Sequence, residues 1–391
     1  MPTSPHDSSL RDYFAPCTLG LEEVVAQEAR GLGASDVEAR RGGVAFRGER
    51  ALGYAANLWL RSAVRVQEQV AHFAASGKDE LYAACREVEW EKWLDVDGTL
   101  AVDASVRDSA MTHSGFAALT VKDAVCDRFR AKTGRRPSVD VENPTLPIKL
   151  VLQRDRATLY LNLSGESLHK RGWRPIQVKS PLNEAIAAGL LLLSGWDHAS
   201  PLVDPMCGSG TIAIEAACLA ADRAPGLLRR FAFERFPDFD SKTWSDLKHD
   251  AAKRAKLSLP FVIEGADRHE GALSLAHRSV RAAQVEGLVK LTRAEAKEFV
   301  PSFTSPPSPN SQSFTVVVNP PWGERVGEGE ELVQSWSDLG RFLHERCRGA
   351  TAFVFCGDAG LPRLLGLKAS RKWPVMAGPI ECRLLRYEVD A

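Results

Sequence analysis

Asn319-Pro320-Pro321-Trp322 is the stretch of this chain best equipped for chemistry. It combines a side-chain amide, backbone carbonyls with no competing proline N–H, and an aromatic ring. Amide and carbonyl oxygens accept hydrogen bonds from an exocyclic amine, and an aromatic face stacks on the ring that carries it. The chemistry implied is a reaction at the amino group of a planar base. Before it, the apolar run Phe314 to Val318 reads as a buried parallel strand. Two prolines cannot continue that strand, so the chain turns at its carboxyl end, where open α/β sheets bind ligands.

Three earlier strand ends carry matching features. Leu202-Val203-Asp204-Pro205-Met206-Cys207-Gly208-Ser209-Gly210-Thr211 reads as strand, glycine turn and helix start. Its glycines admit close backbone approach, and the helix N-terminus favours an anionic group. It is neither the dinucleotide fingerprint, because the residue three after Gly210 is Ala213, followed by Ile214, nor a P-loop, because no Gly-Lys-Thr is present there. Asp267 follows the next strand, where an acid binds ribose hydroxyls; a helix N-cap is its plain structural alternative. Glu295 follows the third strand, placed to accept from an adenine amine, and taken alone it is a solvated charge.

The elements that position these residues divide the chain by texture. Residues 1–10 read as disordered. Up to about Gly172 the pattern is α+β: helices over 22–32, 51–59, 78–86 and 115–133, strands near 64–70 and 99–103, and a hairpin joined near Arg154-Asp155. After Gly172 strands and helices alternate, which predicts one doubly wound parallel sheet. Pro379 to Val389 reads as a last, antiparallel strand at or near an edge, and 301–313 as a Pro/Ser-rich surface insertion.

Composition narrows the partners. The 50 basic and 50 acidic side chains cancel, so any polyanion site is a local patch. Eight scattered cysteines without a CxxC pair or His/Cys cluster predict free thiols in a reducing compartment and no metal site. No apolar run reaches membrane-spanning length and the start lacks a secretory pattern, which predicts a soluble, cytoplasmic protein without a membrane partner.

Residues 204–217 together with Asn319-Pro320-Pro321-Trp322-Gly323-Glu324-Arg325 resemble the class I S-adenosylmethionine-dependent RNA guanine-N2 methyltransferases. The likeness is to the bacterial 23S ribosomal RNA type in particular, and it extends to Phe14–Glu23, Gly42–Phe46, Thr133–Val139, His169–Trp173 and Ala224–Gly226. It implies a class I, Rossmann-like α/β methyltransferase sheet preceded by an α+β ferredoxin-like and THUMP region. The implied domains are 11–60 ferredoxin-like, 61–168 THUMP and 169–391 methyltransferase. The cofactor implied is S-adenosyl-L-methionine, held by Pro181, Asn183, Glu184, Asp204, Pro205, Cys207, Gly208, Ser209, Gly210, Thr211, Asp267, Glu295 and Asn319. Asn183 stands where a lysine is frequent, Glu295 for a usual aspartate and Trp322 for a usual tyrosine.

The reaction implied is methyl transfer to guanine N2 in RNA, with Asn319, Pro320, Pro321 and Trp322 as the catalytic set. Ribosomal RNA is the leading partner and tRNA the alternative. Arg128, Arg130, Lys132, Arg135 and Arg136 form one basic cluster for phosphates, and Lys170 and Arg171, with His169, Arg174 and Lys179, form another. Each reads equally as a solvated face. Trp173 fits a junction core as well as a stacking platform. A reading of another class is a non-catalytic RNA-binding or assembly factor; intact Asn319 and an intact glycine turn argue against it. Neither the modified guanine nor the oligomeric state is written in the residues.

Overall fold

The computed structural model describes residues 10–174, 182–303, 314–322 and 329–389. Pro181, Lys179, nearly all of the expected disordered N-terminus and most of the expected Pro/Ser-rich insertion lie outside them. The chain divides into two compact units.

One unit comprises the residues up to Pro16, Ala26–Leu168 and Arg230–Lys248. Its strands are β1 (Arg11–Pro16), β2 (Ser35–Arg40), β3 (Gly43–Gly48), β4 (Gln67–Ala74), β5 (Thr99–Arg107), β6 (Ser138–Val139), β7 (Leu146–Gln153) and β8 (Arg156–Asn162). They form one sheet in the order β2-β3-β1-β4-β8-β7-β5-β6. The helices of this part of the chain are α1 (Glu22–Gly31), α2 (Arg50–Trp59), α3 (Lys78–Glu87) and α4 (Ser114–Thr133). Alternation drives the pairing: Leu146, Ile148, Leu150 and Leu152 of β7 all point inward. Arg154 and Asp155 both have positive φ, the turn geometry that joins β7 to β8 as the sequence leads one to expect. The expected step between domains at residues 60–61 falls inside a continuous sheet, because β4 pairs with β1 on one side and β8 on the other. Residues 230–248, expected with the methyltransferase part, cluster in this unit instead. Phe233 stacks on Tyr54 at 4.4 Å, and Arg50 pairs with Asp238 at 3.0 Å.

The other unit comprises Cys17–Val25, His169–Arg229 and the chain from His249 on. In chain order its elements and the helix that leads into it are α5 (Glu184–Ser194), β9 (Leu202–Asp204), α6 (Thr211–Ala220), α7 (Ser241–Arg254), β10 (Ile263–Asp267), α8 (Glu270–Ala282), β11 (Val289–Arg293), β12 (Thr315–Val318), α9 (Glu330–Arg346), β13 (Thr351–Cys356), β14 (Arg371–Ala377) and β15 (Ile380–Glu388). The sheet runs β11-β10-β9-β12-β13-β15-β14, with β9 to β13 parallel. This is the doubly wound α/β sheet anticipated from the alternation. Val317 packs on the face that holds Leu190, Ile212 and Val280, whereas Val316 and Val318 pack with Trp336, Leu339 and Phe342 of α9. Burial on both faces explains why β12 reads as an unbroken apolar run.

The last strand lies near an edge, as expected, with one strand outside it. β15 is antiparallel but interior, and β14 forms the edge. Pro374, Arg371 and Lys372 hid β14 in the sequence, yet an edge strand tolerates both proline and charge. α9 has Glu330 and Glu331 favourably placed in its first turn. Trp173 is buried in the core and is no stacking platform. All eight cysteines are free and buried. Among the described residues no helix is long and apolar enough to cross a membrane, and no group of His, Cys, Asp or Glu converges as a metal site.

Candidate active site

The carboxyl ends of β9, β10, β11 and β12 open on one cavity of about 850 Å³. It lies where the strand order reverses between β9 and β12, the point at which a parallel sheet leaves a crevice.

The turn after β9 folds across the end of β10. The Cys207 N–H donates to the Ala266 carbonyl at 2.8 Å, and the Gly208 N–H to Asp267 Oδ2 at 2.9 Å. Gly208 has φ +54°, and a Cβ there would meet no atom within 4 Å, so bare backbone faces open space. Asp267 Oδ1 accepts from the His269 N–H at 2.8 Å, while His269 itself is the N-cap of α8. Asp267 therefore ties the glycine turn to β10 and is not the simple cap of its structural alternative. Asp204 is buried beneath the turn and accepts from the Met206 N–H at 3.2 Å. Burial, with a smaller push from nearby Asp267, raises its carboxyl to about 8. Burial also raises the Cys207 thiol, which leaves it inert as a nucleophile.

A charged network joins Glu295 and Asp338 on another wall. Lys297 Nζ lies 2.6 Å from Glu295 Oε2 and 3.3 Å from Asp338 Oδ2, and Gln334 Nε2 donates to Asp338 Oδ1 at 2.6 Å. The two carboxylates hold the Lys297 ammonium above its ordinary value. Arg268 and Glu331, both at the cavity, form an ion pair.

After β12 the proline turn brings Asn319, Pro320, Pro321 and Trp322 to the same cavity. Trp322 Nε1 donates to Asn319 Oδ1 at 2.9 Å, and Trp336 Nε1 donates to the Pro321 carbonyl at 2.8 Å. The Trp322 ring meets Phe355 edge-on at 6.2 Å and covers Gly357, where a Cβ would approach Cζ3 to 2.7 Å. Among the described residues the Pro320 carbonyl accepts no protein hydrogen bond.

Of the residues expected at the cofactor, Asn183, Asp204, Pro205, Cys207, Gly208, Ser209, Thr211, Asp267, Glu295 and Asn319 line the cavity. Asn183 also caps α5, its Oδ1 accepting from the Ala185 and Ile186 N–H groups at 2.9 and 3.2 Å. Two do not line it. Glu184 is buried against Arg174, whose Nε donates to it at 2.8 Å. Gly210 lies on the back of the turn, towards Ala276. Pro181 is outside the described residues. Asp338 and the β14–β15 turn at Ala377 to Ile380 escaped the sequence reading, because only tertiary folding brings them to the cavity.

The basic clusters need correction. Arg171 is 2% exposed and pairs with Glu215 (1% exposed) at 3.1 Å, so it cannot reach a phosphate. Arg128 makes a bidentate pair with Glu91, both distances 2.8 Å. Lys132 shares that carboxylate, which Arg128 chiefly holds down at about 2. Arg130 pairs with Asp127 and Arg135 with Asp97. Arg136 is exposed with no ion pair among the described residues, and Lys170 is also exposed. The first cluster is thus largely neutralised, by Asp127 within it and by Glu91 and Asp97 from distant parts of the sequence.

Comparison with known proteins divides the chain into contiguous segments. Residues 12–67 match a model described as RlmL ferredoxin-like domain and residues 75–162 a THUMP domain. Residues 171–386, more than half the chain, match the model described as RMKL-like, methyltransferase domain. The chain belongs to the RMKL-like methyltransferase family. Among RMKL-like relatives, a putative RNA methyltransferase of Synechocystis is 35% identical over 388 residues, covering 99% of each chain. Ribosomal RNA large subunit methyltransferase K/L of Syntrophotalea carbinolica is 40% identical over 385 residues, 96% of this chain and 53% of that protein. The chain thus spans about half the length of the K/L relatives it matches. A crystal structure of SMU.472, a putative methyltransferase complexed with SAH, superposes with a TM-score of 0.87 at 28% identity, over 98% of this chain and 99% of that one.

Proposed function

We propose that this RMKL-like protein transfers a methyl group from S-adenosyl-L-methionine to the N2 amine of a guanine in RNA. The leading acceptor is large-subunit ribosomal RNA, and the setting is the cytoplasm. The observation that carries this reading is the meeting, in one cavity, of the Asn319 amide and Pro320 carbonyl with the bare glycine turn and Asp267. The THUMP match and the RNA methyltransferase names of the relatives support an RNA acceptor.

The residues present fit the cofactor. About 850 Å³ suits a nucleoside-sized ligand. Asp267 offers carboxylate lone pairs to ribose hydroxyls, Glu295 an acceptor to an adenine amine, and the Gly208 backbone admits close approach. When bound, S-adenosyl-L-methionine supplies an electrophilic methyl group.

The chain's own work is done on the acceptor. A guanine N2 lone pair is delocalised into the ring and attacks poorly. Asn319 Oδ1 and the Pro320 carbonyl accept hydrogen bonds from its two N–H groups, which favours a pyramidal nitrogen with its lone pair free in the transition state. The Trp322 ring forms a wall that fixes the base plane. No strong base is required, because the amine turns acidic only as it is methylated. A stacked guanine has to be turned out of its helix to reach this depth.

The test is to map N2-methylguanine in ribosomal and transfer RNA from cells lacking the protein. Loss of a large-subunit site is expected, with in vitro restoration by the purified protein. Loss at a tRNA position with intact ribosomal sites would overturn the acceptor.

A further inference from the structure

We propose that Arg174 is a positioning residue for the amino-acid end of the cofactor: it sets the hydroxyls of Ser209 and Thr211 as donors to that carboxylate. This rests on the use of S-adenosyl-L-methionine proposed above. Arg174 Nη1 donates to Ser209 Oγ at 3.1 Å and Nη2 to Thr211 Oγ1 at 2.9 Å. A guanidinium only donates, so each hydroxyl must spend a lone pair on it and keeps its O–H to give elsewhere. Among the described residues neither hydroxyl donates to protein, and both line the cavity.

They stand at the start of α6, whose N-cap Gly210 provides no side-chain cap. First-turn N–H groups and two donor-ready hydroxyls therefore face the same direction of demand: an acceptor-only anion such as a carboxylate. Arg174 itself does not line the cavity. Glu184 binds its Nε at 2.8 Å, and its Cζ lies 5.2 Å from the centroid of the buried Trp173 ring. With 11% of its side chain exposed and all three guanidinium nitrogens engaged, it is not free for the RNA phosphate that its sequence neighbourhood suggests.

The experiment is titration calorimetry with S-adenosylhomocysteine and with 5′-methylthioadenosine, which keeps the adenosine and sulfur but lacks the amino-acid end. Arg174→Met and Arg174→Lys are each expected to weaken S-adenosylhomocysteine binding by about ten- to a hundredfold, the factor for one or two hydrogen bonds to a charged group. Binding of 5′-methylthioadenosine is expected to stay within about twofold, whereas a merely structural role would weaken both ligands alike. Lysine still pairs with Glu184 but cannot span two hydroxyls, so that variant decides the matter if Arg174→Met fails to fold. Equal losses for both ligands, or loss for neither, overturn the proposal. Wild-type protein that binds neither nucleoside overturns the cofactor reading instead.

Discussion

Trp322 Nε1 donates to Asn319 Oδ1 across 2.9 Å. An indole N–H is a donor only, so the partner must be the amide oxygen, and the orientation of Asn319 is fixed by chemistry. One oxygen lone pair remains for a substrate amine. Trp322→Phe removes this restraint while keeping an aromatic wall. Its turnover is expected to fall about tenfold, the scale of one neutral hydrogen bond. Asn319→Ala is expected to fall about 100- to 1,000-fold. In both variants S-adenosylhomocysteine affinity should hold within about twofold; a matching loss of affinity would place Asn319 in cofactor binding and not in catalysis.

Gly357 tests the same wall from behind. A Cβ at that position would approach Trp322 Cζ3 to 2.7 Å, so Gly357→Ala must push the indole. The cost to stability is expected to be about 1–3 kcal/mol. The methylation rate should fall in Gly357→Ala alone but fall little further when Trp322→Phe is already present. Additive losses in the double variant would show that Gly357 acts elsewhere.

Asp204 predicts a pH dependence of stability. Its carboxyl rises from an ordinary 3.8 to about 8 in the folded chain. Between those values the unfolded chain has lost a proton that the folded chain keeps, so stability declines as pH rises through that window. Denaturant unfolding at pH 5 and pH 9 should show wild type losing a few kcal/mol more than Asp204→Asn, on the order set by burying one ionised carboxylate. Parallel curves for the two proteins would mean that Asp204 is ionised in the fold.

Arg171 and Glu215 are both almost fully buried, at 2% and 1% exposure. Arg171→Ala leaves a lone buried carboxylate and is expected to cost about 3–5 kcal/mol. Replacing both by Met and Leu should be close to neutral, and RNA affinity of that double variant should match wild type. Weakened RNA binding in a stably folded double variant would restore Arg171 to the RNA surface.

Arg136 and Arg128 separate charge that is available from charge that is spent. Arg136→Ala should weaken RNA binding evenly across sequences and lower the salt slope by about 1. Arg128→Ala, which removes the bidentate partner of Glu91, should alter local stability and leave the slope unchanged. Equal slopes for both variants and wild type would move the RNA surface away from α4.

The parallel sheet and most of the cavity wall are legible in the sequence because each is local. A strand end and the turn after it occupy about ten consecutive residues, as in Leu202 to Thr211 and Phe314 to Trp322. Partnership is not local. Arg128 meets Glu91 and Arg171 meets Glu215, 37 and 44 positions apart, so a basic run reads the same whether its charges are bare or paired. Arg174 is the sharpest case: beside Arg171 and Lys170 it looks like phosphate-binding charge, but Ser209 and Thr211 lie 35 and 37 positions on. β14 was missed because proline and charge mark an edge strand and a loop alike.

The two compact units are not contiguous pieces of chain. Leu21 is fully buried in the core that holds Leu190 and Leu202, and the Met376 N–H donates to the Leu19 carbonyl at 3.0 Å. Phe233 in turn stacks on Tyr54. During synthesis the first unit cannot close when Leu168 appears, because its final segment ends 80 residues later, at Lys248. At roughly 5–20 residues per second, Tyr54 waits about 9–36 s for Phe233, its covering ring. Leu19 waits longer still, until Met376 has been made. The nascent chain therefore carries two unfinished cores at once, and its order of manufacture differs from its order of completion.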